Sequence, residues 1–252
     1  MDEHRPKNQE IRHWIMFSDL ASAKHNECCE ILDEEAHHAL KVKRVRLHDT
    51  VGVLDAQGHQ AAATVTQIAG SRSKPILTIQ IDQIQSFAPI APIIEIYAAL
   101  PKGDRLDRMI DQLAQLGVTT FRPLLCQRSQ RKPSTIRTEK LERIAAEATK
   151  QCRRPWVLQI NDPILFADAI NDPDAVIADA AGELWSPAVQ PRRTVVLIGP
   201  EGGFSPDERA LISATGVPLV RFGLFVLRIE SAAAAASAII LSTPPQSRGT
   251  PK

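Results

Sequence analysis

The sequence predicts an α/β protein whose first third is rich in β-structure. Three observations predict this class. Short alternating apolar runs separated by turn residues occupy the chain up to residue 85. A charge-free stretch, Phe87–Pro92, then carries two prolines. Beyond it, apolar strands alternate with helical patterns, as in a mainly parallel sheet.

In the first part, Val51–Leu54 runs into the turn cluster Asp55-Ala56-Gln57-Gly58, and strands follow at Ala61–Ile68 and Ile76–Ile81 with Gly70-Ser71 between them. This reads as a small β-rich domain or barrel. The boundary falls near residue 88, giving an N-terminal domain of residues 1–87 and a second of 88–243. The polar, proline-containing tail, 244–252, is expected to be disordered. In the second part Ile93–Leu100 is an apolar strand. Gly103–Leu116 is a helix, with Leu106, Met109, Ile110, Leu113 and Leu116 on one stripe and Gly117 as the stop. Val118–Leu125 is a strand, and Glu139–Cys152 a helix with Leu141, Ile144, Ala145 and Ala148 inward. Ala175–Ala178 is a short strand before a loop containing Gly182. Thr194–Ile198 is a buried strand, Pro206–Ala214 a helix, Pro218–Phe222 a strand and Glu230–Leu241 a helix.

The chain has 252 residues, 44% hydrophobic and 23% charged, which suits a folded soluble protein and excludes disorder of the whole. No apolar run is long enough for a membrane span. The polar, acidic N-terminus resembles neither a signal nor a transit peptide, so a cytoplasmic location is expected. Cys28, Cys29, Cys126 and Cys152 form no Cys-x-x-Cys pair; reduced thiols and no metal site are expected. Net charge is only +1, but its distribution is uneven: residues 102–154 carry 13 Lys/Arg against 6 Asp/Glu. Arg122, Arg128, Arg131, Lys132 and Arg137 fall in one stretch without an acid, and Lys41, Lys43, Arg44 and Arg46 in another. Such stretches are either solvated faces or a patch for a polyanion such as nucleic acid.

The chemistry concentrates in two turns. Strand Thr194–Ile198 leads into Gly199-Pro200-Glu201-Gly202-Gly203-Phe204, and Ser205-Pro206-Asp207-Glu208 then forms a capping box for the next helix. A glycine turn at the carboxyl end of a strand is where ligands bind in open α/β sheets. Its spacing matches neither common phosphate cradle. Glu201, Asp207 and Glu208 would repel phosphate and suit a ribose, an amine or a sulfonium; a purely structural tight turn is the alternative. The second turn is Phe222-Gly223-Leu224-Phe225-Val226-Leu227-Arg228-Ile229-Glu230-Ser231, followed by five alanines. Arg228 and Glu230 are charges set among apolar residues, available either to a ligand or to each other.

Together Ile198–Glu208 and Phe222–Ser231 resemble the cofactor signature of the RsmE family. Segments His37–Gly58, Lys102–Asp107, Leu116–Val118, Pro123–Ser129 and Glu147–Gln151 extend the resemblance over nearly the whole chain. It implies an N-terminal PUA-like β-barrel and a C-terminal SPOUT domain with a trefoil knot. It implies S-adenosylmethionine-dependent methylation of N3 of a uridine in 16S ribosomal RNA, a small-subunit substrate and a homodimer. Cofactor contacts are carried to Ile198, Gly199, Pro200, Glu201, Gly202, Phe222, Gly223, Leu227, Arg228, Ile229 and Ser231. The chain departs from the family pattern at Ala114-Gln115 for Thr-Glu, at Phe225 for a basic residue and at Ser231 for Thr.

For the chemistry, the uridine N3–H must lose its proton around the time of methyl transfer. Arg128 and Arg228 are the expected anion stabilisers, with Arg128 equally suited to a phosphate contact. Glu201 and Glu230 are expected as bases or as ligand-orienting groups. RNA contacts are expected from Lys41, Lys43, Arg44, Arg46, Arg122, Arg128, Arg131 and Lys132. Rival readings are a SPOUT enzyme acting on transfer RNA or another ribosomal position, a non-catalytic RNA-binding protein, and a nucleotide-binding enzyme that uses the glycine turn for phosphate.

Overall fold

Period-2 patterning in the first part and helical periodicity in the second give two kinds of sheet. The computed structural model describes residues 11–130, 137–186 and 191–242. These fall into two compact units. One comprises the residues up to Pro89 together with Thr149–Trp156, the other Ile90–Ala148 and the residues from Val157 onward.

The first unit is built on a six-stranded sheet. Its strands are β1 (Trp14–Met16), β2 (Cys28–Ile31), β3 (Thr50–Leu54), β4 (His59–Gly70), β5 (Pro75–Ile81) and β6 (Gln85–Ser86). The order is β1-β3-β4-β5-β2, with β6 paired to β4. Strands β3, β4 and β5 are joined antiparallel, and Val51 lies opposite Ala63. Alternation does the sorting: Val51, Val53, Ala61, Ala63, Val65, Leu77, Ile79 and Ile81 form the core. The β3–β4 turn is held by buried Asp55, which accepts from the Gln57 and His59 amides at 2.7 and 3.0 Å. A short helix, α1 (Asp33–His37), continues into a π-helical turn at His38–Val42, which the sequence pattern did not reveal. The acid-free run therefore starts on a helical turn, and Lys43 Nζ donates to the Trp14 carbonyl at 2.6 Å.

The second unit is a parallel sheet in the order β10-β8-β7-β12-β11-β13, with β9 paired to β8. Its elements are β7 (Ile93–Ala98), α2 (Arg105–Leu116), β8 (Thr120–Leu125), α3 (Thr138–Cys152), β9 (Gln159–Ile160), β10 (Ile164–Leu165), α4 (Phe166–Ala169), β11 (Ala175–Leu184), β12 (Arg193–Ile198), α5 (Pro206–Thr215), β13 (Leu219–Arg221) and α6 (Ile229–Ser242). Helix α3 crosses from this unit into the first at Thr149. Strands β7 and β12 lie at the centre, with Ile96 opposite Val196, and are buried on both faces. One face packs on Leu106, Met109, Ile110 and Leu113 of α2 and on the alanines of α6. The other packs on Phe166, Ile170 and Phe204. Gly117 ends α2 at φ 94, a left-handed cap that favours glycine.

One difference from the sequence reading bears on the site. The expected strand Ala175–Ala178 and the loop after it form a single ten-residue strand, β11, bulged between Ala178 and Glu183 against β13. A Cβ at Gly182 would collide with the Leu219 backbone, so the glycine marks a close approach of two strands rather than a loop.

Candidate active site

Because all these strands run parallel, their carboxyl ends share one edge, where four loops meet: those after β7, β8, β12 and β13. Helix α5 starts there as its sequence dictates. Ser205 caps it, Pro206 takes the first helical position, and the Glu208 side chain accepts from the Ser205 amide at 2.7 Å. Glu208 is buried, and its other oxygen accepts from the Gln127 amide at 2.8 Å. One carboxylate thus caps the helix and ties the loop after β8 to the glycine turn. Buried beside it, the Cys126 thiol is pushed up to about 12 by desolvation and then by the Glu208 charge, which leaves it protonated and unreactive. All four cysteines are free.

The glycine turn and the loop before α6 enclose a cavity of about 290 Å³. Its walls are Ile198–Glu201 with Gly203 and Phe204, Val220–Gly223, Phe225–Ile229, and Ala178–Ala180 at the bulge of β11. Of the expected cofactor residues, the structure brings together Ile198, Gly199, Pro200, Glu201, Phe222, Gly223, Leu227, Arg228 and Ile229 around this space. Gly202 and Ser231 do not line it: the Gly202 carbonyl accepts from Arg128, and Ser231 is exposed on α6. Gly199 is needed sterically, since a Cβ there would lie 2.7 Å from the Phe204 ring. Gly203 has φ 68, a conformation that favours glycine.

The charged residues are arranged in a way the sequence left open. Arg228 and Glu230 do not pair. Arg228 lines the cavity, is exposed, and has no ion-pair partner among the described residues. Glu230 instead faces Arg105, Nη1 to Oε1 3.8 Å, while its Oε2 is buried without a hydrogen-bond partner among the described residues. The same Arg105 nitrogen lies 2.8 Å from Glu201 Oε1. Arg128 Nη1 donates to the Gly202 and Phe204 carbonyls at 3.2 and 3.4 Å, which seats this guanidinium on the back of the glycine turn. It keeps further N–H groups for a ligand.

The expected RNA residues are spread more widely. Lys41, Arg44 and Arg46 are exposed and Lys43 is half-buried, all in the first unit. Arg122 is half-buried in β8, its guanidinium 5.6 Å from the centre of the Tyr97 ring. Arg131 and Lys132 lie outside the described residues. Sequence reasoning missed Arg105, Asp179, Arg209 and Arg221. Asp179, Arg209 and Arg221 line the cavity, and Arg105 holds one of its residues. Only Arg105 carried a signal, as part of the Lys102–Asp107 motif.

Among the described residues no group of three His, Cys, Asp or Glu side chains is placed to hold a metal ion, and no helix is long and apolar enough to cross a membrane.

Residues 89–241 match the family model described as an RNA methyltransferase domain. The chain is 30% identical over 217 residues to the ribosomal RNA small subunit methyltransferase E of Synechocystis, covering 82% of this chain and 70% of that protein. It is 28% identical to the protein of the same name from Aquifex aeolicus, covering 84% and 93%. A solved structure similar in fold is the ribosomal RNA small subunit methyltransferase E of Neisseria gonorrhoeae bound to S-adenosyl methionine, with TM-score 0.77, 21% identity and coverage of 90% of this chain and 96% of that one.

Proposed function

The chain belongs to the ribosomal RNA small subunit methyltransferase E family, and from that premise we propose that it methylates ring nitrogen N3 of a uridine in 16S ribosomal RNA, with S-adenosylmethionine as donor and the assembled small subunit as substrate. The observation that carries this reading is the cavity at the carboxyl edge of the parallel sheet. It is walled by a glycine turn and an apolar loop, with Glu201 and Asp179 among its lining residues.

The residues present fit the donor. Phe222, Leu227 and Ile198 offer apolar surface to a flat base, and backbone groups of the turn offer hydrogen bonds. The Glu201 and Asp179 carboxylates suit hydroxyl donors and positive charge while opposing phosphate. When bound, S-adenosylmethionine supplies a methyl group activated by its sulfonium. The chain's own residues bind, orient and handle the proton. Arg228, at the cavity wall and without an ion-pair partner among the described residues, and the N–H groups of Arg128 stabilise the negative charge that grows on the uracil oxygens. Of the two carboxylates Glu201 lines the cavity and is the better placed to receive the N3 proton, whereas Glu230 does not line it and its Oε2 is buried. Glu201 also orients ligand donors. Positioning supplies much of the rate.

Residues 1–87 are read as the PUA-like RNA-binding domain, using Lys41, Lys43, Arg44 and Arg46, and residues 88–243 as a SPOUT methyltransferase domain with its knot. Arg122, Arg131 and Lys132 are assigned to RNA with Arg128. A homodimer in the cytoplasm completes the reading. It is supported by the apolar tip of the loop before α6, where Leu224, Phe225 and Val226 are 80%, 81% and 84% exposed beside the cavity.

Calorimetry tests the binding half. S-adenosylmethionine is expected to bind and ATP not to; ATP binding alone would favour a phosphate-binding turn. Methyl transfer to intact small subunits, naked 16S RNA and a short uridine-containing oligonucleotide tests the substrate. The subunit is expected to be methylated fastest per target, and equal rates on all three would remove the assembled particle from the reading.

A further inference from the structure

Arg105 opens α2 at the carboxyl edge of the sheet and does not line the cavity. Its guanidinium is nevertheless held on several sides. Nε donates to the Lys102 carbonyl at 3.1 Å, and Nη1 lies 2.8 Å from Glu201 and 3.8 Å from Glu230. The side chain is 24% exposed, and those of Glu201 and Glu230 are 35% and 16% exposed. Glu201 belongs to the glycine turn and Glu230 to the first turn of α6, the two segments that flank the cavity. Without a cation between them, like charges held this close would repel and the loops would part. A planar guanidinium fits this duty better than an ammonium, because its rigid fork can meet a backbone carbonyl and two carboxylates at once.

We propose that Arg105 is a positioning residue for donor binding: it clamps Glu201 of the glycine turn and Glu230 of α6, and so fixes the cavity in the form that takes S-adenosylmethionine. The proposal rests on the reading of this cavity as the donor site. It assigns a role to a side chain that touches neither the donor nor the reacting atoms. Arg105 acts through Glu201, so removing it should matter only while Glu201 is present.

The test is calorimetric titration of S-adenosylmethionine into the parent, Arg105→Ala, Arg105→Lys, Glu201→Gln and the double variant Arg105→Ala/Glu201→Gln, with circular dichroism to verify folding. Loss of one charge-assisted contact is expected to weaken binding about tenfold or more in Arg105→Ala. Arg105→Lys should recover part of that loss. The double variant should bind no more weakly than Glu201→Gln alone. In steady-state kinetics the KM for the donor should rise more than kcat falls. If Arg105→Ala does not fold, Arg105→Gln, which removes the charge and keeps a donor, carries the same expectation. Parent-like affinity in a folded Arg105→Ala or Arg105→Gln, or losses that simply add in the double variant, would overturn the proposal. A parent that does not bind S-adenosylmethionine would overturn the donor-site reading itself and this proposal with it.

Discussion

At the scale of single residues, the glycine turn shows that equal residue types carry unequal loads. A Cβ at Gly199 would sit 2.7 Å from the Phe204 ring, whereas at Gly202 it would meet Arg128 Cβ at an ordinary 3.7 Å. Gly199→Ala is therefore expected to destabilise the protein by about 1–3 kcal/mol through overpacking. Gly202→Ala should leave the melting temperature close to the parent's, and thermal unfolding of both variants checks the contrast. The sequence marked both glycines equally, because spacing reports that a turn is tight and not which position is crowded. The same limit applied to charge. Glu201, Glu208 and Glu230 were all legible as unusual carboxylates, and Glu208 as part of a cap, but not that Glu208 also accepts from the Gln127 amide or that the other two share Arg105. Partners 81 to 125 residues away leave no mark in a local pattern.

At the scale of elements, the legible features were those set by local rules. The helix stripe of α2, the glycine stop at Gly117 and the capping box at Ser205 all appear where their residues require. Ser205→Ala is expected to cost about 1 kcal/mol, read as a lowered melting temperature, because the Glu208 amide loses its acceptor. The strand lengths of β11 and the short pairings of β9 and β10 were not legible, since parallel partners arrive from distant segments. The opposite edge of the same sheet carries another feature with no local signature. Arg193, at the start of β12, is bonded to Glu95 at 2.7 Å, to both oxygens of Asp172 at 2.8 and 2.9 Å, and to Asp174 at 3.1 Å. The hydrogen bond from Arg193, opposed by partial burial, holds the Asp172 carboxyl below its ordinary value. A carboxyl depressed in the folded state binds fewer protons there than when unfolded. Its contribution to stability is thus present above pH about 4 and lost as pH falls through the lower folded value. Asp172→Asn is expected to lower stability at neutral pH and to flatten the acid limb of a denaturant-midpoint profile below pH 4. An acid limb as steep as the parent's would contradict this account of the cluster.

At the scale of the whole molecule, the α/β class and the alternation of strand and helix were readable from patterning, while the place of the site came from topology. Parallel pairing of β7, β8, β11, β12 and β13 gathers four loops on one edge, and so brings Arg105, Arg128, Glu201 and Arg228 into one neighbourhood. Family resemblance could name this neighbourhood but not its ion pairs. If the proposed homodimer forms through the exposed apolar tip at Leu224–Val226, Phe225→Glu should shift sedimentation toward a monomer; an unchanged dimer would place the interface elsewhere. Lys43→Glu with Arg44→Glu should weaken RNA binding and its salt dependence while leaving donor affinity unchanged. The central claim is methyl transfer to a uridine ring nitrogen of the small subunit. The most direct measurement incubates small subunits from a strain deleted for this protein with the protein and isotope-labelled S-adenosylmethionine, then maps labelled nucleosides of the 16S RNA by mass spectrometry. We expect one labelled nucleoside, a uridine methylated at N3, and none when donor is omitted. Absence of label, or label on another base or ring position, would contradict the account.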